Sequence, residues 1–368
     1  MWRNMYSTNI RRYFKPRHWS RGLVDFTVAT AKSEQALSIQ KRKHVPVLLR
    51  EAISALNVRP DKTFVDMTFG AGGHTREILK RGAKVVAIDR DPSVESIATE
   101  FKEEFGSRFD FRVAKFTEIR NVLADAGVPA GSVSGILVDC GCSSMQMDSA
   151  RGFSSSKPNS PFDMRMNPAD LQGPTAAQLV NHLSAESLAK IFKTYGEEKY
   201  ARKIADAIIS YRYEMKQIRT IGEFCQVVEA AFAPSHFRTD MIGRQVNLAT
   251  KAIMGLRIFV NDELNQLNRG LHLMYDILHN EGQAVVISFH SLEDRIVKRH
   301  FSGVDMDEPV SHTIAQKYRN AGAWHKPTEM RPKWISIFKD VVTPSEDEIE
   351  QNPRSRSAKL RGAVKVQI

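Results

Sequence analysis

The chain is expected to fold as an α/β protein: a parallel, doubly wound sheet interrupted by an all-helical insertion. Three observations predict this. Short apolar stretches that end in acids at Asp66, Asp89 and Asp139 alternate with helical patterns. A glycine-rich turn, Phe69-Gly-Ala-Gly-Gly-His74, follows the first of them. Beyond Asp139 the alternation breaks, and from Thr175 to about Phe232 the periodicity is only helical.

His44-Val-Pro-Val-Leu-Leu leads into an amphipathic helix ending at Leu56, and Arg59-Pro-Asp-Lys62 is a turn. Thr63, Phe64 and Val65 are β-prone and read as a buried strand. The glycines then open a helix over Thr75–Arg81, a corner where glycine admits a ligand and the helix start offers N–H groups. Lys84–Asp89 is the second strand, and Pro92–Glu104 a helix with proline in its first turn. Phe109–Val113 alternates like a third strand, Ile119–Ala126 is a short helix, and Gly135–Asp139 is the fourth strand. Cys140–Pro174, rich in Ser, Pro, Gly and Met, reads as a long functional loop.

Helices are expected over Ala176–Leu183, Ala185–Tyr195, Glu198–Tyr213 and Ile221–Phe232, with Ser184 and Thr220 as N-caps. Helical periodicity resumes from Asn247 to His279, and Gln283–Phe289 returns to the sheet. Ser291–Phe301 is a helix whose opening Ser-x-x-Asp resembles a capping box. Ser336–Val342 is expected as a last strand, and Gln351 onward as a mobile basic tail. The expected division is a transit peptide or disordered arm over 1–40, sheet domain over 41–165 and 247–345, helical insertion over 166–246, and basic tail over 346–368.

At 368 residues the chain can hold one large domain or two. No apolar run approaches the ~18–20 residues of a membrane span, so no membrane partner is expected. Three cysteines, Cys140, Cys142 and Cys225, are too few for a disulfide framework and read as free thiols in a reducing compartment. Cys140-Gly-Cys142 is too closely spaced for a usual zinc pair, and no metal is expected. The net charge of +11 is concentrated at the ends: residues 1–43 carry +8 and 351–368 carry +5, leaving the middle slightly acidic. The first 24 residues hold Arg3, Arg11, Arg12, Lys15, Arg17 and Arg21 without an acid, the composition of a mitochondrial transit peptide. A basic arm that touches RNA is the alternative.

In a parallel sheet the strand ends converge on one crevice. Asp89 is placed to take the two hydroxyls of a ribose, and Phe116 to pack on an adenine face or simply to fill the core. Asp139 falls where a donor methyl and an acceptor base would meet, and could orient the acceptor or the cofactor's own amine, or be a plain strand-end or helix-capping acid. An acid before the glycines and another after the second strand resembles S-adenosylmethionine methyltransferases more than dinucleotide oxidoreductases, the rival enzyme class. Hydrogen bonds to an exocyclic amine would localise its lone pair for attack on a sulfonium methyl, so positioning supplies most of the rate. His290 either contacts substrate or binds phosphate, or else the stretch is a Ser291 cap beside a satisfied structural histidine.

The motifs Asp66-Met-Thr-Phe-Gly-Ala-Gly-Gly-His74, Ala87-Ile-Asp-Arg-Asp-Pro92, Asp139-Cys-Gly-Cys-Ser-Ser-Met-Gln146, Arg151-Gly-Phe153, Tyr195-Gly-Glu-Glu198, Leu256-Arg-Ile-Phe-Val-Asn261 and Ser288-Phe-His-Ser-Leu-Glu-Asp-Arg295 together carry a resemblance. Over about 44–361 the chain resembles the RsmH (MraW) family of S-adenosylmethionine-dependent ribosomal RNA cytosine-N4 methyltransferases, and within it the animal mitochondrial branch. The resemblance implies a Rossmann-like class I methyltransferase sheet with an inserted all-helical domain. It implies S-adenosyl-L-methionine held by Gly72, Gly73, His74, Asp89, Phe116, Asp139 and Gln146. It further implies small-subunit ribosomal RNA as substrate, the assembling mitochondrial small subunit as partner, and the mitochondrial matrix as location. A ribosome-assembly factor for which methylation is dispensable is the alternative. One departure stands out: where bacterial members carry a His-Pro-Ala-Thr-Arg-Thr-Phe-Gln-Ala-like run, this chain reads Asn247-Leu-Ala-Thr-Lys-Ala-Ile-Met-Gly255.

Overall fold

The computed structural model describes residues 46–170, 173–214, 216–233, 235–239, 243, 245–303 and 333–367. The arm expected over 1–40 lies outside them. Seven strands form one sheet: β1 (Thr63–Asp66), β2 (Lys84–Asp89), β3 (Phe109–Val113), β4 (Val133–Asp139), β7 (Leu278–Ser288), β8 (Trp334–Ser336) and β9 (Lys359–Lys365). A separate hairpin joins β5 (Arg238–Thr239) to β6 (Gln245–Val246). The sheet order is β3-β2-β1-β4-β7-β9-β8. From β3 to β7 all pairings are parallel, and β9 is antiparallel to both β7 and β8. This is the doubly wound sheet expected from the alternation.

Helices cover both faces, which is why the central strands are apolar on both sides. Phe64, Leu137, Val285 and Ile287 point to one face, against α1 (Leu49–Leu56), α2 (Gly73–Lys80) and α3 (Glu95–Phe105). Their neighbours Val65, Ile136, Val138 and Val286 point to the other, where Val122 and Leu123 of α4 (Ile119–Asp125) pack.

The loop expected after Asp139 contains one short helix, α5 (Ser144–Asp148). A third core joins α6 (Ala176–His182), α7 (Ala185–Thr194), α8 (Ala201–Tyr213), α9 (Ile221–Ala230) and α10 (Thr250–Val260). It takes in Phe153, Phe162, Met164 and Met166 before these helices, and Ala252, Ile253 and Leu256 after β6, so this packing unit reaches beyond 166–246 on both sides. Ser184 and Thr220 are N-caps, accepting the N–H groups of Ser187 and Glu223, both at 3.2 Å.

Three expectations are corrected. The single periodic stretch 247–279 is two helices, α10 and α11 (Glu263–Ile277), broken where Asp262 takes a φ of +51°. The buried Asn261 beside it accepts from the Met166 N–H and donates to the Met164 carbonyl, both at 2.8 Å, tying the long loop to the break. Second, α12 (Ser291–Phe301) is capped by His290, not Ser291. His290 Nδ1 accepts the Leu292 N–H, while Glu293 accepts the N–H groups of Phe289 and His290.

Third, the basic end of the chain is a sheet strand. Leu360 and Ala363 of β9 are fully buried on opposite faces, and Lys359 and Arg361 both pair with Asp294 of α12. The expected strand over Ser336–Val342 shifts to β8, with Val342 making only an isolated bridge to Leu360. The charges hid an apolar alternation short enough to be missed.

Candidate active site

The strand order reverses between β1 and β4, and the crevice beyond their C-terminal ends is the place for a ligand. Asp66 ends β1 and Asp139 ends β4. Asp66 is almost fully buried and turned into the protein: its carboxylate accepts from the Thr68 N–H at 2.9 Å and the Thr75 hydroxyl at 2.7 Å. The Thr68 hydroxyl donates to Asp66 at 3.3 Å and accepts the Asp139 N–H at 2.7 Å. One threonine therefore links the two strand ends across the crevice.

Asp89 shapes the glycine turn. Its two oxygens accept the N–H groups of Gly70 at 2.8 Å and Asp91 at 2.9 Å, drawing the turn over the end of β2. Gly70 has a φ of +50°, and a Cβ there would meet nothing nearer than 3.9 Å, so the turn is open at this point. The other glycines serve packing. At Gly72, with φ +74°, a Cβ would lie 2.4 Å from the Phe101 ring, and at Gly73 it would lie 2.1 Å from Pro46. Gly72 and Gly73 thus let α2 seat against neighbouring side chains, while Gly70 borders the open side.

His74 is buried on the first turn of α2. Its Nε2 lies 3.1 Å from the Val47 carbonyl, which can only accept, so this nitrogen carries the proton. Nδ1 then faces Asp139, 3.9 Å from Oδ2. Asp139 Oδ1 is buried without a hydrogen-bond partner among the described residues. Burial, with the charges of Asp66 and Glu293 adding, holds this carboxyl well above the usual carboxylate range. An acceptor of high proton affinity at the end of β4, its side chain a quarter exposed, suits an amine that must be held and then deprotonated.

Phe116 follows β3 on a single helical turn and packs on Gly270 of α11, where an added Cβ would come 3.2 Å from the Phe116 side chain. Its ring is half-buried, one side against that helix. Gln146 in α5 is buried and fully engaged: Oε1 accepts the Ser143 N–H and Nε2 donates to Asp91, both at 3.0 Å. Arg151 pairs with the same Asp91 carboxylate. Burial opposes the charge on Asp91, but Arg151, Ser93 and Gln146 outweigh it and hold the carboxyl below its ordinary range.

Beside Asp139, the apolar surroundings of Cys140 and Cys142 keep both thiols protonated, Cys142 being pushed up to about 12. Arg257 makes paired 2.9 Å bonds to Glu263 in this region. His290 is neutral, its pKa lowered by burial.

The sequence reading brought Asp89, Asp139, His74 and the glycine turn to one corner, and the structure places them there. It did not single out Thr68, Asp91 or Arg151 as working residues. All three stand only as letters within larger motifs, since their bonds join positions far apart in the chain.

The residues fit S-adenosylmethionine: an open glycine turn, a carboxylate beneath it, a half-exposed aromatic ring and an unpartnered buried acceptor. Burial pushes Asp89 up to about 6. Its folded pKa is raised, so protonation is favoured in the folded chain below that value, and its negative charge is lost. Affinity for S-adenosylmethionine is therefore expected to weaken as pH falls from 7.5 through 6, by up to about tenfold per unit below it. Calorimetric titration across this range checks this, and Asp89→Asn should bind weakly with that slope removed.

The comparisons agree in kind. The profile of the MraW methylase family matches residues 41–366. The human protein named 12S rRNA N(4)-cytidine methyltransferase METTL15 is 39% identical over 384 residues, covering 100% of this chain and 93% of that protein. The Ribosomal RNA small subunit methyltransferase H of Ehrlichia canis is 42% identical over 325 residues, covering 88% of this chain and 100% of that protein. A Culex quinquefasciatus protein named for a receptor-type tyrosine-protein phosphatase is 42% identical over 339 residues, but this chain spans only 23% of it. That name describes a much longer protein and is not carried over. With the family profile covering nearly the whole sequence, the chain belongs to the MraW methylase family.

Proposed function

We propose that this chain is an S-adenosylmethionine-dependent methyltransferase that methylates N4 of a cytosine in mitochondrial small-subunit ribosomal RNA. The observation that carries the reading is the end-to-end likeness to a protein named as a 12S rRNA N(4)-cytidine methyltransferase. 12S rRNA is the small-subunit rRNA of animal mitochondria, so the chain is assigned to the mitochondrion, and by extension to its matrix. The assembling small subunit is its proposed partner. The sheet elements are proposed as the cofactor-binding domain and the helical cluster as an insertion facing the RNA.

S-adenosylmethionine supplies an electrophilic methyl group on its sulfonium. The chain's own residues do the rest. Asp89 would accept from the ribose hydroxyls, Phe116 would cover the adenine, and Gly72, Gly73 and His74 would shape the corner. Gln146 would act through Asp91 by fixing the loop after Asp139. Asp139 would accept a hydrogen bond from the cytosine amine, hold its lone pair toward the methyl, and receive or relay the proton released. A cytosine inside a duplex would first have to leave the stack.

Nucleoside mass spectrometry of mitochondrial small-subunit rRNA, from cells with and without the chain, tests the reading. N4-methylcytidine is expected to disappear without it and return on re-expression. An unchanged level would overturn the assignment.

A further inference from the structure

We propose that Tyr200 and Phe237, with Lys199, Lys203 and Lys251, form a stacking platform for unpaired RNA bases beside the target cytosine. The proposal rests on the RNA-methyltransferase reading above.

Large apolar side chains standing alone on a surface mean little. Here two of the exposed ones, Tyr200 at 44% and Phe237 at 66%, are linked through His236, which packs on Tyr200 and directly precedes Phe237 in the chain. Three lysines of this surface, Lys199, Lys203 and Lys251, are also exposed. Tyr200 is held rigidly. Its ring meets Phe232 edge-on at 5.4 Å and His236 at 5.5 Å, and those two rings stack at 4.7 Å. Arg238 lies over Tyr200 and Phe232 at 5.7 and 5.5 Å. An aromatic surface fixed by this ladder loses little entropy when a base stacks on it.

The charge favours a polyanion. The acid nearest Tyr200 in the chain, Glu198, is buried and neutralised by Arg238 through bonds of 2.6 and 2.8 Å. Arg202 pairs with both Glu186 and Asp206, which leave one negative charge over, so it adds nothing to the positive charge. Glu197, exposed on the same surface, is offset by Arg295 at 4.0 Å, so the three lysines supply the unpaired positive charge. Lys203 lies 5.2 Å over the Phe232 ring, which keeps its ammonium beside the aromatics. Base stacking with phosphate contacts is how single strands are held.

The patch also continues from the crevice. Glu197, in a left-handed conformation with φ +47°, accepts the Ser291 hydroxyl at 2.6 Å, and its carbonyl accepts from Lys251 at 3.3 Å. Ser291 directly follows His290 at the end of β7, the strand paired with β4 and Asp139. A strand whose cytosine sits at Asp139 can therefore run over Glu197 onto Tyr200. Lys251 lies in the 247–255 run that departs from the bacterial pattern, so the altered run borders this surface.

The test uses the full chain and a fluorescein-labelled, single-stranded oligocytidylate, read by anisotropy. Tyr200→Ala and Phe237→Ala should each weaken binding about tenfold. Tyr200→Phe and Phe237→Trp should stay within about twofold of the unaltered chain. Changing the three lysines to glutamine should reduce the slope of log affinity against log salt by about 2. S-adenosylmethionine affinity should be unchanged throughout. Alanine variants that bind the oligonucleotide normally overturn the proposal. If they instead lose a self-association seen by sedimentation, the face belongs to a protein partner, which also overturns it. Methylation of small-subunit rRNA by the unaltered chain, assayed in the same preparations, separates failure of the platform from failure of the functional reading.

Discussion

Asp139→Asn is expected to lower kcat by roughly a thousandfold while the protein folds and melts as before. The substitution keeps the side-chain size and the backbone N–H bond to Thr68 at 2.7 Å. It replaces one acceptor oxygen by an NH₂ group that would face the donor hydrogens of an amine. Losing one positioned polar group at a reacting centre costs about 10²–10³ in rate, and losing a proton acceptor about 10²–10⁴. Stability should not fall, because Oδ1 has no partner to lose among the described residues, and burying a neutral amide is easier than burying a charge. The split between parameters decides the role. A fall confined to kcat places Asp139 on the acceptor amine, whereas an equal loss of S-adenosylmethionine affinity places it on the cofactor's amine. Activity within tenfold of the unaltered chain would remove it from the chemistry.

The parts of this site that were legible in the sequence are those set by local pattern. Strands ending in Asp66, Asp89 and Asp139 are each a few residues of apolar sequence stopped by an acid, and the parallel sheet then forces their ends together. Caps at Ser184 and Thr220 are also local, since donor and acceptor lie within one turn. The glycine turn was legible in position but only partly in reason. Gly72 and Gly73 make room for Phe101 and Pro46, contacts that depend on another helix and on the entry segment. At the other end, five cations in the last eighteen residues outweighed the apolar Leu360 and Ala363, because the acid that pairs with Lys359 and Arg361, Asp294, lies on a helix whose packing the sequence does not display. The capping role of His290 was misread by one residue, since an imidazole cap is rarer than the serine beside it.

Asp91 and Arg151 illustrate the long-range part most sharply, and Arg151→Ala is expected to destabilise the protein by about 3 kcal/mol. The Asp91 side chain is 2% exposed and that of Arg151 18%, so the pair is well removed from water. Deleting the arginine leaves a buried carboxylate with no cation, held by Ser93 and by the Gln146 amide, the Ser93 N–H and the amide both at 3.0 Å. It also removes a 2.9 Å bond to the Met166 carbonyl and the guanidinium packed 5.4 Å from the Phe153 ring. Arg151 thus fastens the end of β2 to the loop that begins at Asp139 and reaches Asn261. A melting temperature lower by roughly 4–5 °C is the direct readout. Because Asp91 is held below its ordinary range, the pair's contribution is present above the unfolded carboxylate pKa of about 3.9 and is lost as pH falls through the folded value. The gap between Arg151→Ala and the unaltered chain should therefore close in acid. Adding Asp91→Asn to Arg151→Ala should recover part of the loss at neutral pH, because no uncompensated charge remains buried. If the double variant is no more stable than Arg151→Ala, the cost lies in the lost Met166 and Phe153 contacts instead, and the ion pair is not what holds the loop to the sheet.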